Sequence, residues 1–463
     1  MFSLGTPDKR ILTCVKSISN STSALLVYRE RPESDAVRAY LISIRYLSIW
    51  IEDDPNAPRE RHRYPQAVPR ILLTNGRFPV SLDLARQFTL AGCKVYCVDP
   101  MKFHVCRFSR AVKASRVVPA PHTDAKGYIE GVKNAVKCWG IDHLIPVHEE
   151  EYYLAESKDP EILEKLYAPP WELLVRLHSK RHYAQMVSGF GLDIPEIHVC
   201  SSMDDVRRLD IESKEWALKP VFGRANTNVY HLKPGEPVPE DIPVSEEVQY
   251  VAQEWISGDR YCSYSVFNHG ELKAHGVYPV LETIDGSSSV YFQSCPHPKI
   301  KEYVEKLGEH LYPFHGQIGL DFVDTQDRLV AFDCNPRATS GVHLWSGTPQ
   351  LASAFTSADA EFTGPPRGRL GLPIRRQVFP GMLMWEHRGV NVPRYLKHMW
   401  RLVRARDIVW DWVDVMPSLA SPVLLTYYYI LCQRHKMKLP DLFQWQLIWE
   451  PTQDITKDVP PLL

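Results

Sequence analysis

The 463-residue sequence predicts an α/β domain with a doubly wound parallel sheet, then an α+β segment of antiparallel strands, then a mixed helical extension. Three observations carry this expectation. Between Arg70 and Val147, apolar strand-like runs alternate with stretches of helical periodicity, which is the pattern of a parallel sheet. Between Pro195 and about Thr348, short strand-like runs dominate and hairpin turns separate them. The last hundred residues return to helix and are rich in Trp and Arg.

Residues 1–66 show no clean periodicity and end in the charged, proline-bearing stretch Glu52–Pro65, so they read as an N-terminal extension and linker. Residues 67–170 are the expected α/β domain. Arg70-Ile-Leu-Leu-Thr74 reads as a buried strand, turned at Asn75-Gly76. Val80, Leu84, Phe88 and Leu90 then mark a helix that Gly92 ends. Lys94–Val98 is the next strand, closing at Asp99-Pro100, and a helix near Gly131–Trp139 leads into Asp142–Val147. Such sheets bind ligands beyond the carboxyl ends of their strands, where His148-Glu149-Glu150-Glu151 lies. This acidic run fits either a solvated helix N-terminus or a face toward substrate or a neighbouring domain. Gly76 alone is not Gly-x-Gly-x-x-Gly, so no dinucleotide site is expected.

Residues 171–355 carry the expected strands Trp216–Lys219, Tyr250–Glu254, Tyr261–Phe267, Leu272–Tyr278, Gln317–Val323 and Leu329–Cys334. Turns fall at Asn268-His269-Gly270 and Asp324–Asp327. Residues 356–463 form the C-terminal extension. A formal net charge of −1, with the charges dispersed, excludes a general nucleic-acid binder. No stretch has the ~18–20 apolar residues of a membrane span: Ala39–Ile51 is broken by Arg45, and Ser421–Cys432 is short. The first residues lack a hydrophobic signal core, and the ten cysteines form no Cys-x-x-Cys pair. Reduced thiols and a cytoplasmic location are expected.

The chemistry concentrates between Gly316 and Arg337. Two strands joined by a tight turn carry Asp321 and Asp333, and in such a hairpin both carboxylates can project toward one point on one sheet face. Asn335, two residues on, stays on that face. Two carboxylates and an amide oxygen suit Mg²⁺, which binds few protein groups together with substrate phosphates. Arg337 supplies a planar fork for phosphate or carboxylate oxygens. Upstream, Lys219 ends an apolar strand and precedes the Gly223-Arg-Ala-Asn226 loop, a placement from which it can reach a triphosphate. Lys180 opens a helix in His178-Ser-Lys-Arg-His182.

This order of residues resembles the ATP-grasp superfamily, nearest the carbamoyl-phosphate-synthetase-like carboxylate–amine ligases, over residues 70 to about 350. The resemblance implies a pre-ATP-grasp domain over 67–170 and an ATP-grasp fold over 171–355. It also implies that Lys180 and Lys219 hold ATP phosphates, and that Gln253, Glu254, Trp255 and Ile256 form the hinge along the adenine, with the Glu254 carboxylate bonding the base. Asp321, Asp333 and Asn335 would hold Mg²⁺, with Mn²⁺ as a substitute, and Arg337 and Lys219 would act on the transferring phosphate. Arg260 stands where the family often has a ribose-facing Glu, and Asp333 stands for the commoner Glu. The implied reaction joins a small-molecule carboxylate to an amine through an acyl phosphate. Arg260 and the shorter acids leave a non-catalytic ATP-binding scaffold as an alternative. A bicarbonate kinase is another, although that chemistry uses two such units by resemblance.

Weaker signals remain. His178 and His182 have zinc-like spacing on a helix but lack a third ligand. Asp285–Ser289 reads as a hairpin connection or a phosphate loop. Thr339, Ser340 and His343 are candidates for the acceptor pocket. Lys397–Arg406 reads as an amphipathic helix with a solvated basic face. The Arg- and Trp-rich tail would complete the acceptor site or make a homodimer contact.

Overall fold

The computed structural model describes residues 68–452 and 455, apart from 224–227, 285, 287, 369–370 and 385–390. The extension expected over 1–66 therefore lies outside the described residues. So do Arg224–Asn226 of the loop after Lys219, and part of Asp285–Ser289.

The first sheet is parallel throughout. It contains β1 (Arg70–Leu73), β2 (Lys94–Asp99), β3 (Val112–Val117) and β4 (His143–Ile145), in the order β3-β2-β1-β4. Strand alternation sends Ile71 and Leu73 into the core with α1 (Pro79–Leu90), while Leu72 packs with α2 (Ala125–Trp139) on the other face. The central strand is therefore apolar on both faces, as a parallel sheet requires. Helix α2 starts earlier than periodicity suggests, because the Asp124 side chain caps it by accepting from the Gly127 N–H; Gly140, at φ 59°, ends it in the left-handed region. Strand β3 was not expected. Val112-Lys-Ala-Ser-Arg-Val has no apolar run, because it is an edge strand with one solvated side.

Helices α3 (Glu150–Glu156), α4 (Trp171–His178) and α5 (Lys180–Gly189) lead into two antiparallel sheets. The first contains β5 (Ile197–Cys200), β6 (Trp216–Pro220), β7 (Tyr230–Leu232) and β8 (Tyr250–Glu254), ordered β5-β8-β6-β7. The second begins with the hairpin β9 (Asp259–Asn268) and β10 (Glu271–Pro279). After the short strands β11 (Thr283–Ile284), β12 (Ser288–Ser289) and β13 (Tyr291–Gln293), and helix α6 (Pro298–His310), it continues with β14 (Gly316–Asp324) and β15 (Leu329–Asn335). Its order is β10-β9-β14-β15. All six strands expected between 195 and 348 are present. Ile318, Leu320 and Phe322 bury one face of β14 in a core shared with α6 and with Leu177, Tyr183 and Val187 of α4 and α5. The other face is left to the site.

The C-terminal region adds β16 (Arg375–Gln377) and β17 (Arg406–Asp407) beside β13, then α7 (Val392–Arg404), α8 (Met416–His435) and α9 (Leu439–Trp445). It packs back onto the first sheet. The Asp414 carboxylate accepts from Arg86 Nε, Ser109 Oγ and the Arg110 N–H, and Tyr428 of α8 meets Phe443 of α9 edge-on. In α7 the apolar side chains are not covered as an amphipathic reading expects: Leu396 and Val403 are exposed, and only His398 is buried, next to Glu282. Among the described residues no helix is long and apolar enough to cross a membrane, and the nine described cysteines are free.

Candidate nucleotide and phosphoryl-transfer site

The hairpin β14–β15 owes its acidic pair to one irregularity. Its outer rungs pair Asp324 with Leu329, Val323 with Val330 and Phe322 with Ala331. Continued regularly, that ladder would set Asp321 against Phe332 and send Asp333 to the buried face. A bulge intervenes, and Asp321 pairs directly with Asp333 and Gly319 with Asn335. The extra residue is Phe332. Its carbonyl, released from the ladder, accepts hydrogen bonds from Lys219 Nζ and from Gln253 Nε2, each at 3.1 Å. The bulge thus aligns the two acids and seats a lysine beside them. It also explains why Ala331 and Cys334, three apart, both lie in the apolar core.

Around the acids the charges are close and unequal. Lys180 Nζ lies 3.0 Å from Asp333 and donates to the Gly223 carbonyl at 2.9 Å. Burial and the adjacent Asp333 charge push Asp321 up to about 6, against the Cys262 thiol hydrogen bond and the charges of Arg260 and Lys219. Burial works the same way on Asp333, but Lys180 and Lys219 hold its carboxyl below the usual range. Burial and the Lys180 charge bring Lys219 down to about 8, despite Asp333 and Asp321. Two facing carboxylates, one reluctant to ionise beside the other, fit a hard divalent cation. Asn335 completes an oxygen set, although here its Oδ1 accepts from Arg337 at 3.1 Å.

A cleft of about 340 Å³ runs away from this end. Lys219, Gln253, Glu254, Trp255, Ile256 and Arg260 line it, facing Val323, Val330 and Phe332. Lys219, the four hinge residues and Arg260 all line this one cleft, whereas Lys180 and Arg337 lie outside its lining. Trp255 stacks on His231, ring centres 3.7 Å apart, and Arg260 donates to the Gly286 carbonyl at 3.0 Å.

Residues 177–341 match the ATP-grasp domain family. That segment, about a third of the chain, is similar to ATP-grasp domains. The fold likeness extends well beyond the matched segment. An ADP complex of N5-carboxyaminoimidazole ribonucleotide synthetase superposes with a TM-score of 0.54 at 13% identity, covering 67% of this chain and 81% of that one. Biotin carboxylase from Campylobacter jejuni gives 0.51 at 15%, covering 66% and 74%. L-amino acid ligase from Bacillus licheniformis gives 0.50 at 14%, covering 62% and 74%. No curated protein sequence matches the chain.

Within this ATP-grasp framework several side chains have other partners than the sequence suggested. The Glu254 Oε2 accepts from the Glu196 N–H at 3.1 Å and pairs with Arg328 at 3.5 Å, so one of its two oxygens is engaged with protein groups. Arg328, which sequence reading passed over, also holds Asp193 through two 3.0 Å bonds and so ties the hairpin turn to the hinge. Its position in the turn was visible; its partners, 74 and 135 residues away, were not. His178 and His182 lie on two helices separated at Ser179, which removes the zinc-like spacing. His343 is buried against Asp83 at 2.7 Å, and Thr339 caps the turn that follows, accepting from Gly341.

The run at 149–151 is buried rather than solvated. Glu150 Oε1 accepts from Thr74 Oγ1, Val147 N and His148 N, and Glu149 Oε2 accepts from the Trp449 N–H. Burial and Glu150 push Glu151 well above the usual range, opposed by the charge of Arg337.

Proposed function

We propose that the chain is an ATP- and Mg²⁺-dependent ligase that joins a carboxylate to an amine through an acyl phosphate. The observation that carries this reading is the directly paired Asp321 and Asp333, flanked by Lys180 and by Lys219, which itself lines the cleft walled by Gln253–Ile256. Under this reading residues 67–170 are the pre-ATP-grasp domain, 171–355 the ATP-grasp domain and 356–463 an appended extension.

The adenine lies along Gln253–Ile256, and the triphosphate runs to Lys219 and Lys180. A carboxylate oxygen of the first substrate attacks the γ-phosphorus; the bond to the β–γ bridging oxygen breaks, and ADP leaves. The amine nitrogen then attacks the acyl carbon. The carbon–oxygen bond to phosphate breaks, phosphate leaves and the nitrogen gives up a proton, which yields the amide. No protein nucleophile is needed; the protein contributes position and charge. Asp321, Asp333 and Asn335 would hold Mg²⁺, which neutralises phosphate charge when bound. Lys180 exchanges Asp333 for a phosphate oxygen, and Arg337 exchanges Asn335 for the transferring group.

Thermal stability with and without Mg²⁺–ATP tests the binding half. Ligand at ~100 times its dissociation constant adds about 2.7 kcal/mol, and Lys219→Ala should abolish that gain. ADP release with acid and amine pairs tests the chemistry. Asp333→Asn should lower it by about 10²–10³-fold without unfolding the protein, and unchanged turnover in that variant would sink the assignment.

A further inference from the structure

A cavity larger than the nucleotide cleft lies elsewhere among the described residues. It measures about 590 Å³ and opens between Pro220–Gly223, directly after Lys219, and the C-terminal segment of α9 and residues 448–451. We propose that it binds an organic cation, a primary amine carried on an apolar or aromatic body, and that this amine, after its ammonium gives one proton to solvent, is the amine substrate. The second half of this statement rests on the ligase reading; the first does not.

Three features point to a cation. Asp441 and Glu450 stand exposed at the cavity wall, and among the described lining residues there is no lysine, arginine or histidine. Two part-exposed aromatic side chains, Phe222 and Trp445, line the walls, and the buried Tyr250 and Trp449 also border them. Ring faces carry partial negative charge and attract ammonium groups, and they also cover an apolar body. The volume lies within the range that small organic ligands occupy.

Its position connects it to the chemistry. Gly223 belongs to the cavity wall, and its carbonyl accepts from Lys180 Nζ at 2.9 Å; Lys180 in turn lies 3.0 Å from Asp333. The cavity wall is thus linked to Asp333 through Lys180. The far wall is firmly set. Trp449 stacks on Tyr152 at 5.1 Å, meets Trp171 edge-on at 5.4 Å, and donates its main-chain N–H to Glu149. This gives the C-terminal tail a task that the ATP-grasp domain does not perform, which is to close the acceptor side.

Calorimetric titration of the full chain with 2-phenylethylamine and with 3-phenylpropanoate tests the assignment, because the two probes share ring and spacer and differ in charge. The amine should bind about tenfold more tightly or better. Asp441→Asn should weaken the amine by about three- to tenfold, and Trp445→Ala by about tenfold. Both variants should keep the wild-type Mg²⁺–ATP thermal shift, which shows that they are folded. Equal binding of the two probes, or no amine binding by a chain that still binds Mg²⁺–ATP, overturns the proposal. Amine selectivity in a chain that fails to bind Mg²⁺–ATP would uphold the cation site and instead overturn the ligase reading.

Discussion

Two clusters of opposite charge lie within this fold, and they are built on different terms. Arg77, in the turn between β1 and α1, and Asp99, at the end of β2, are both fully buried and 2.6 Å apart. The Asp99 oxygens also accept from the Gly76 and Met101 N–H groups, and Arg77 reaches Gln446 Oε1 and the Phe443 carbonyl in the tail. Burial works to raise the Asp99 carboxyl, yet Arg77 and His104 hold it below the usual range. That network is closed, with each charge spent on a protein partner. The second cluster, Lys180, Lys219, Asp321 and Asp333, opens on a cleft, and there Asp321 and Lys219 are both pushed away from their charged states. A closed pair fastens the tail to the first sheet, whereas an open one is arranged for a charged ligand still to come.

The largest expected effect separates the two. Arg77→Ala leaves the Asp99 carboxylate buried without its counter-ion and should destabilise the chain by about 3–5 kcal/mol, read as a lower denaturant midpoint. Asp333→Asn should leave that midpoint nearly unchanged while removing activity. Equal loss of stability in both variants would erase the distinction. Replacing both Arg77 and Asp99 with apolar residues should recover only part of the loss, because the Gly76 and Met101 N–H groups would then be left without an acceptor.

A second effect, intermediate in size, is the pH profile of the open cluster. Catalysis under the ligase reading needs Asp321 ionised and Lys219 protonated. kcat/KM should therefore rise through about pH 6 and fall through about pH 8, following the two groups in the free protein. The kcat profile should be broader, since a bound cation lowers the carboxyl and bound phosphates raise the lysine. Lys219→Arg should remove the alkaline limb and leave the acid one. The stability sign follows from the same shift. Asp321 holds its proton more tightly folded than unfolded, where it titrates near 3.8, so the ligand-free chain should lose stability as pH rises from about 4 to about 6. Asp321→Asn should flatten that slope, and a slope that persists in the variant would assign it to another group.

The sequence was most legible where local pattern and long-range consequence coincide. The hairpin carries acids on an otherwise apolar strand beside a turn, and both strands and both acids are where that pattern puts them. The bulge at Phe332 was hidden, because it shows only when residues are counted against the partner strand. The parallel sheet was legible from its apolar runs, and the solvated edge strand β3 was not. Glu149, Glu150 and Glu151 look like a surface run because nothing local reveals that Thr74 and Trp449, 76 and 300 residues away, close over the first two. The tail was least legible for the same reason: its Trp and Arg residues take their meaning from elements at the other end of the chain.

The smallest effect concerns the backbone that holds the open cluster in register. Gly319 pairs with Asn335, and a Cβ placed there would lie 2.4 Å from Thr339 Cγ2. Thr339 is not free to withdraw, because its hydroxyl caps the turn over Ser340–Trp345. Gly319→Ala therefore forces the hairpin and that turn apart, at a cost of about 1–3 kcal/mol. If the strain is taken up by β14, Asp321 moves relative to Asp333 and the Mg²⁺ dependence of ADP release should weaken along with stability. If it is taken up by the turn, stability falls and the Mg²⁺ dependence stays. Measuring both in one variant shows which of the two elements is the stiffer, and so whether the acidic pair is held by its own ladder or by what packs behind it.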